Sequence, residues 1–386
     1  MSEENYRSRL NGAKRVVIKT GSRVLVRRDG KPDTARIEAI VRQIAKLRGD
    51  GVEVILVSSG AIGAGMNTLG IKKRPATLPE LQMAAAVGQS RLIAMYDQLF
   101  VAEGCPIGQV LLTQDGLKQR ERHLNARNTI LTLLRNGIIP IVNENDAVAV
   151  DDIRFGDNDI LAALVSILVD ADLLILLTTV NGLRKPAKNG QTRRVPFLED
   201  VTEKELALDN GKSDTLSSGG ITSKLQAAKT AAETGTSVVI CDGRMRDIIT
   251  RAIAAEDVGT LIAPATRSSG NINRRKRWIA FFHRTRGTLI IDSGARMALA
   301  EKGRSLLPIG ISSVEGSFPV GTSVHIKTAD GTLVARGLVE YSSDQIKLIK
   351  GRKTSDIESI LGSKEYDEVV HRDNMVLLKP SQEGIL

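Results

Sequence analysis

The sequence predicts an α/β fold, a mostly parallel sheet covered by helices on both faces, followed by a small β-barrel domain at the carboxyl end. Three observations carry this expectation. From residue 14 to about 265, short β-branched runs alternate with segments whose apolar residues recur at helical spacing. Polar and glycine-rich segments stand at the ends of those runs, where open α/β sheets place ligands. From Arg267-Ser268-Ser269-Gly270-Asn271-Ile272-Asn273 onward the pattern changes to short β pieces separated by glycine turns.

Taken in order, Val16-Val17-Ile18 is the first strand. Ile37, Ile40, Val41, Ile44 and Leu47 share one helical face, and Gly49 and Gly51 end that helix. Residues 52–57 read as a strand, 81–101 as a long helical region stopped by Gly104, 107–112 as a strand and 125–134 as a helix. Ile138-Ile139-Pro140-Ile141-Val142 is a short apolar run expected as a buried strand, and residues 160–169 are apolar nearly all round, as a buried helix would be. Residues 173–177 form a strand, 224–232 a helix ended by Gly235, and 238–240 a strand. Repeated strand–helix–strand units require crossover connections, hence parallel pairing with both faces covered. Beyond the change of pattern, Asp330-Gly331 between Val324-His325-Ile326-Lys327 and Thr332-Leu333-Val334-Ala335 signals a hairpin. The expected organisation is 1–266 as the α/β domain, 267–286 as a basic linker and 287–386 as the small barrel.

With 386 residues, 42% hydrophobic and 25% charged, the chain has room for two cores and the balance of a soluble protein. No apolar run reaches membrane-spanning length, so no membrane association is expected. The start, Met1-Ser2-Glu3-Glu4-Asn5-Tyr6, carries acids and no apolar core of a signal peptide, which points to a cytoplasmic protein. Cys105 and Cys241 are far apart beside predicted strands and read as buried free thiols. His123, His283, His325 and His371 show no ligand spacing, so no zinc site is expected.

The net charge of +10 is unevenly placed. Residues 1–266 carry 35 Lys+Arg against 31 Asp+Glu, residues 267–286 carry seven basic residues and no acid, and residues 287–386 carry 12 against 13. A solvated linker explains the basic stretch as simply as a phosphate-binding stripe does. An RNA-binding protein is the rival class, but the balanced carboxyl-terminal domain lacks the net positive surface that counterion release needs, so RNA binding is not expected.

Two short runs stand out, Asn143-Glu144-Asn145-Asp146 and Gly156-Asp157-Asn158-Asp159. The first follows the buried strand and the second opens the apolar helix, so both should face one cleft. Acids and amides converging there can receive an ammonium group, orient lysines or hold a metal. Either run alone is also explained by a solvated turn and an ordinary helix cap. Three segments suit phosphate: Lys19-Thr20-Gly21-Ser22 after the first strand, Ser58-Ser59-Gly60-Ala61-Ile62-Gly63-Ala64-Gly65 after the second, and Ser218-Gly219-Gly220-Ile221-Thr222-Ser223-Lys224 opening a late helix. Neither the P-loop nor the dinucleotide fingerprint is present, since Leu206 and Thr68 stand where each needs a glycine.

Together with Ala86-Val87-Gly88-Gln89-Ser90 and Asn143-Glu144-Asn145-Asp146-Ala147-Val148, these segments resemble the glutamate 5-kinases of the amino acid kinase family. Arg275-Lys276-Arg277-Trp278-Ile279 and Gly303-Arg304-Ser305-Leu306-Leu307-Pro308 resemble the PUA domain that bacterial members often carry. The resemblance implies transfer of the ATP γ-phosphoryl group to the side-chain carboxylate of L-glutamate, the first step of proline biosynthesis, with Mg²⁺ riding on the ATP phosphates. It implies that Lys19 and Lys224 flank the phosphoryl group and that Asp159 orients them. Ser59, Asp146 and Asn158 would bind glutamate, Asp146 suiting its ammonium, with Asn143 and Asp157 in support. ATP would meet Lys19, Gly21, Ser22, Thr178, Thr179, Ser218, Gly219, Gly220, Ile221, Thr222, Ser223 and Lys224. Feedback inhibition by proline near residues 113–128 and a homo-oligomer, a tetramer, also follow from the resemblance. Same-fold rivals are the acetylglutamate, aspartate, carbamate and uridylate kinases. The chain departs from the family where Lys19-Thr20-Gly21-Ser22-Arg23 replaces Lys-x-Gly-Thr-Ser and where Thr178-Thr179 replaces a Thr-Asp pair.

Overall fold

The β-branched runs of the first two-thirds of the chain form a single sheet. In the computed structural model, which describes residues 3–27, 32–148, 158–186, 191–207, 220–265 and 285–378, its strands are β1 (Arg15–Thr20), β2 (Glu53–Val57), β3 (Ile107–Leu112), β4 (Ile139–Glu144), β5 (Leu173–Thr178), β8 (Phe197–Leu198), β9 (Ser237–Asp242) and β10 (Thr260–Ile262). Two further short strands, β6 (Arg184–Pro186) and β7 (Thr192–Arg194), pair as a separate hairpin. The sheet order is β3-β4-β2-β1-β5-β9-β10-β8. Among the described residues its pairings are parallel except β9 with β10. The short strands β6, β7, β8 and β10 have no counterpart in the sequence reading, because two or three residues are too few to show a period of two.

β1 lies between β2 and β5, and Val16, Val17 and Ile18 are buried. The chain runs from β1 to β2 on one side, then returns through the helix Asn158–Leu168 to β5 on the other. That reversal opens a crevice at the carboxyl ends of the central strands, the usual ligand position in such sheets.

The helices follow the apolar spacing closely. Thr34–Gly49 buries Ile37, Ile40, Val41, Ile44 and Leu47, and Asp33 caps it by accepting from the Arg36 N–H. The long helix runs Leu78–Ala102, three residues earlier than its apolar stripe, because Pro79 is well accommodated in a first turn. The helix Arg120–Arg135, which follows the short helix Gln114–Lys118, likewise begins upstream of its apolar period, in a polar first turn. Helices Ala61–Thr68 and Leu78–Ala102 meet backbone to backbone: a Cβ on Gly65 would lie 1.7 Å from the Ala84 carbonyl oxygen, and one on Gly88 1.7 Å from that of Ala61. Only glycine permits this approach. Both cysteines are buried and free.

The chain forms two compact units, Met1–Ser268 and Ser269–Leu386. The second contains β11 (Thr288–Ile291), β12 (Ile311–Glu315), β13 (Ser323–Thr328), β14 (Leu333–Leu338) and β15 (Met375–Leu377) in the order β12-β11-β13-β14-β15. β13 and β14 form the hairpin marked by Asp330-Gly331, with Gly331 at φ +88°. The unit has its own core, which includes Leu289, Ile326, Ala335, Ile346 and Val369. Gly156, Asp157, Ser218, Gly219 and the basic residues 267–284 lie outside the described residues. Among the described residues, no helix is long and apolar enough to cross a membrane.

Candidate functional site

Three segments distant in sequence meet at one carboxylate. Lys19, the penultimate residue of β1, is 4% exposed and places Nζ 2.7 Å from Asp159 Oδ1. Lys224, in the first turn of the helix Ile221–Glu233, is 8% exposed and places Nζ 2.8 Å from Asp159 Oδ2. Asp159 itself is fully buried. Ions withdrawn from water persist only when paired, so the three side chains hold one another in place. Two ammonium groups against one carboxylate leave an excess of positive charge, suited to the oxygens of a phosphoryl group.

On the β2 and β4 side of β1 the site is built from amides and hydroxyls. Gly60, at φ +104°, turns the chain from Ser58 and Ser59 into the helix Ala61–Thr68. Asn158, the first residue of its helix, donates Nδ2 to the Ser58 carbonyl at 2.7 Å, to Ser59 Oγ at 3.0 Å and to Asn143 Oδ1 at 2.8 Å. Asn143 ends this chain of bonds by donating Nδ2 to Gln89 Oε1 at 2.7 Å. Asn158 is 7% exposed, and its Oδ1 has no donor among the described residues. A buried acceptor without a donor is costly unless a ligand supplies one. Asp146 lies in the turn after β4, where burial pushes its carboxyl up to about 6 against the opposing pull of Arg74. A carboxylate so placed gains from an incoming cation.

On the β5 and β9 side, Thr178 closes β5 and its carbonyl accepts from the Gly243 N–H at 2.9 Å. The Thr179 carbonyl accepts from Arg244 Nη2 at 2.6 Å, and Arg244 is paired with Asp242 at 2.7 Å. Gly21 donates its N–H to the Leu177 carbonyl at 3.4 Å, and Ser22 opens the short helical turn Ser22–Leu25. Gly220, extended, precedes Ile221, Thr222 and Ser223 at the start of the Lys224 helix, where Ser223 Oγ donates back to the Gly220 carbonyl at 3.1 Å. The first turn of a helix directs its N–H groups outward along the axis, an arrangement that complements anions.

The sequence model of the amino acid kinase family matches residues 14–242, and that of the PUA domain matches residues 287–361. The chain is 46% identical over 372 residues to the glutamate 5-kinase of Syntrophotalea carbinolica, covering 96% of this chain and 99% of that one. It is 44% identical over 380 residues to the glutamate 5-kinase of Moorella thermoacetica, covering 98% and 100%. The chain belongs to the glutamate 5-kinase family. Among solved structures, a carbamate kinase from Giardia lamblia bound to AMP-PNP aligns with TM-score 0.48 and 17% identity over 66% of this chain and 99% of its own.

In this member of the glutamate 5-kinase family, the segments singled out by sequence fall on two sides of Lys19. Ser59, Asn143, Asp146 and Asn158 lie toward β2 and β4; Thr178 and Thr179 lie toward β5 and β9. Sequence reading gave no role to Gln89, Tyr96, Asp242 or Arg244. Gln89 belongs to the quoted segment Ala86-Val87-Gly88-Gln89-Ser90, and its spacing of seven from Tyr96, beside the buried stripe of its helix, is the signal that could have drawn attention to it. Arg244 carries no such signal for its bond to Thr179, which is 65 residues away.

Proposed function

We propose that this member of the glutamate 5-kinase family holds ATP and glutamate on opposite sides of β1 and passes the phosphoryl group over the Lys19–Asp159–Lys224 cluster. It transfers the γ-phosphoryl group of ATP to the side-chain carboxylate of L-glutamate, giving L-glutamyl 5-phosphate, the first step of proline biosynthesis. The single observation that carries the site assignment is Asp159, buried with one lysine ammonium on each oxygen.

A carboxylate is already a nucleophile, so the site requires no base. Catalysis rests on position and on neutralising charge. Lys19 and Lys224 stabilise the phosphoryl oxygens and the leaving group, and Asp159 fixes where both ammonium groups sit. Asp146 receives the substrate ammonium, Asn158 and Ser59 bind the amino acid, and Asn143 and Asp157 support that side. Lys19, Gly21, Ser22, Thr178, Thr179 and residues 218–224 hold ATP. Mg²⁺ fits as a companion of the ATP phosphates, because Asp159 has both oxygens engaged by ammonium groups; when bound it supplies further charge neutralisation.

This reading assigns catalysis to residues 1–266, treats 267–286 as a basic linker and 287–386 as the PUA-like domain, and places the enzyme in the cytoplasm as a homo-oligomer, a tetramer. Proline inhibits by feedback near the glutamate side, involving residues 113–128. In support, the Asn145 N–H donates to the Leu112 carbonyl at 2.8 Å, which ties the Asp146 turn to the strand leading into that region. RNA binding is not part of this reading, given 12 Lys+Arg against 13 Asp+Glu in residues 287–386.

The reaction is tested by incubating the protein with ATP, Mg²⁺, hydroxylamine and each of glutamate, N-acetylglutamate and aspartate. Hydroxamate that depends on glutamate, and is suppressed by added proline, is the expected result. No product with glutamate, beside a clear one with another acceptor, rejects it.

Asp146 also sets a pH dependence. The substrate ammonium binds the ionised carboxylate, which is half protonated at a pH of about 6. The KM for glutamate is therefore expected to be flat above pH 7 and to rise by up to about tenfold per unit well below 6. An Asp146→Asn variant should have a high KM with little pH dependence. A wild-type KM unchanged from pH 7.5 to 5 excludes the role.

A further inference from the structure

We infer that Gln89 and Tyr96, on one face of the helix Leu78–Ala102, are positioning residues that align the amino-acid side of the site from behind. This rests on the reading of Asn158 as a glutamate ligand. Seven residues apart, the two side chains lie about two helical turns from one another. Each grips the carboxyl end of a different strand, β4 and β2. Gln89 Oε1 accepts from Asn143 Nδ2 at 2.7 Å, and the Tyr96 hydroxyl lies 2.9 Å from Ser58 Oγ, fully buried. Ser58 Oγ also lies 3.3 Å from the Ser59 carbonyl, so the Tyr96 hydroxyl holds the side chain of the residue before Ser59.

The polarity of the network follows from backbone groups that can act in only one way. The Glu144 N–H donates at 2.9 Å to Asn143, so the atom it meets is Oδ1, and Nδ2 must face Gln89. The Ser58 carbonyl accepts from Asn158, so the atom it meets is Nδ2. Asn158 Oδ1 is thereby committed as a buried acceptor with no donor among the described residues, which selects a ligand that donates, such as the glutamate ammonium. Gln89 supplies the acceptor that keeps Asn143, and through it Asn158, in this arrangement. The helix can serve as a fixed reference because its glycine contact with Ala61–Thr68 leaves no room for sliding.

Gln89 is only half-buried, so substitutions there test the idea without emptying the core. Steady-state kinetics in both substrates are measured for Gln89→Leu, Gln89→Glu, Tyr96→Phe and Asn158→Ala, with thermal melts of each. Gln89→Leu is expected to raise the KM for glutamate roughly tenfold, the scale of one buried donor left unpaired, with the KM for ATP within about twofold of wild type. Gln89→Glu, whose carboxylate still accepts from Asn143, should recover most of the loss. Tyr96→Phe should raise the KM for glutamate several-fold in the same selective way. An unchanged glutamate KM in Gln89→Leu, equal rises for both substrates, or no recovery in Gln89→Glu overturns the inference. If Asn158→Ala raises the glutamate KM while Gln89→Leu does not, only the positioning role fails. If Asn158→Ala itself leaves that KM unchanged, the assignment of Asn158 fails and the inference falls with it.

Discussion

An Asp159→Asn enzyme is expected to turn over roughly a hundredfold more slowly than wild type, or worse, with its fold intact. The side chain keeps its shape, but two buried lysines lose their shared countercharge. Each ammonium then repels the other and settles where solvent or the protein permits, and neither is held ready for the phosphoryl oxygens. Preorganised charge is the largest single contribution in such sites, and removal of one element costs on the order of 10²–10³ in turnover. Breaking a buried pair also costs stability, typically about 3–5 kcal/mol. The three side chains are buried, so the loss is expected to show as a reduced Tm at temperatures above the assay. Circular dichroism and melting fix the folded fraction, and kcat is compared at a temperature where both proteins are fully folded. Near-normal kcat removes Asp159 from the role of organiser.

Lys224→Met is expected to lower kcat by about three orders of magnitude while leaving glutamate binding within a few-fold of wild type. Methionine retains the length and apolar stem of lysine and loses only the cation. What remains is Lys19 paired one-to-one with Asp159, a neutral couple with no excess positive charge for the transferring group. The loss should therefore fall at the upper end of the range for a single electrostatic contributor. Lys19→Met should behave alike and should also raise the KM for ATP. Turnover of Lys224→Met within tenfold of wild type is incompatible with the cluster as the catalytic element.

How much of this was legible in the sequence depended on whether the signal was local. Leu173–Thr178 is an almost continuous apolar run, and Arg15–Thr20 and Ile107–Leu112 hold the shorter runs Val16-Val17-Ile18 and Val110-Leu111-Leu112, so their identity is written in a few adjacent residues. The start of Asn158–Leu168 was visible as an acid-amide run opening an apolar helix. That Lys19, Asp159 and Lys224 share one ion cluster was implied only by family resemblance, since no period connects residues on a strand and two separate helices. The Gln89–Asn143–Asn158 chain was invisible for the same reason: each bond depends on tertiary packing of a helix against two strand ends. The backbone contact at Gly65 and Gly88 was hidden too, because a glycine in a helix signals only weakness until its neighbour is known. The bond from Arg244 to the Thr179 carbonyl was hidden likewise, because it joins segments 65 residues apart.

The division of labour between two adjacent residues is the most exposed part of the mechanism. Asn158 and Asp159 follow one another at the start of a single helix, yet one is assigned to recognition and the other to catalysis. Measuring kcat and the glutamate KM of Asn158→Ala and Asp159→Asn side by side separates these roles. Asn158→Ala is expected to raise the KM about tenfold or more with kcat largely kept, and Asp159→Asn to depress kcat about a hundredfold with the KM within a few-fold of wild type. Both variants altering the same parameter by similar amounts, or Asp159→Asn acting on KM alone, would contradict it.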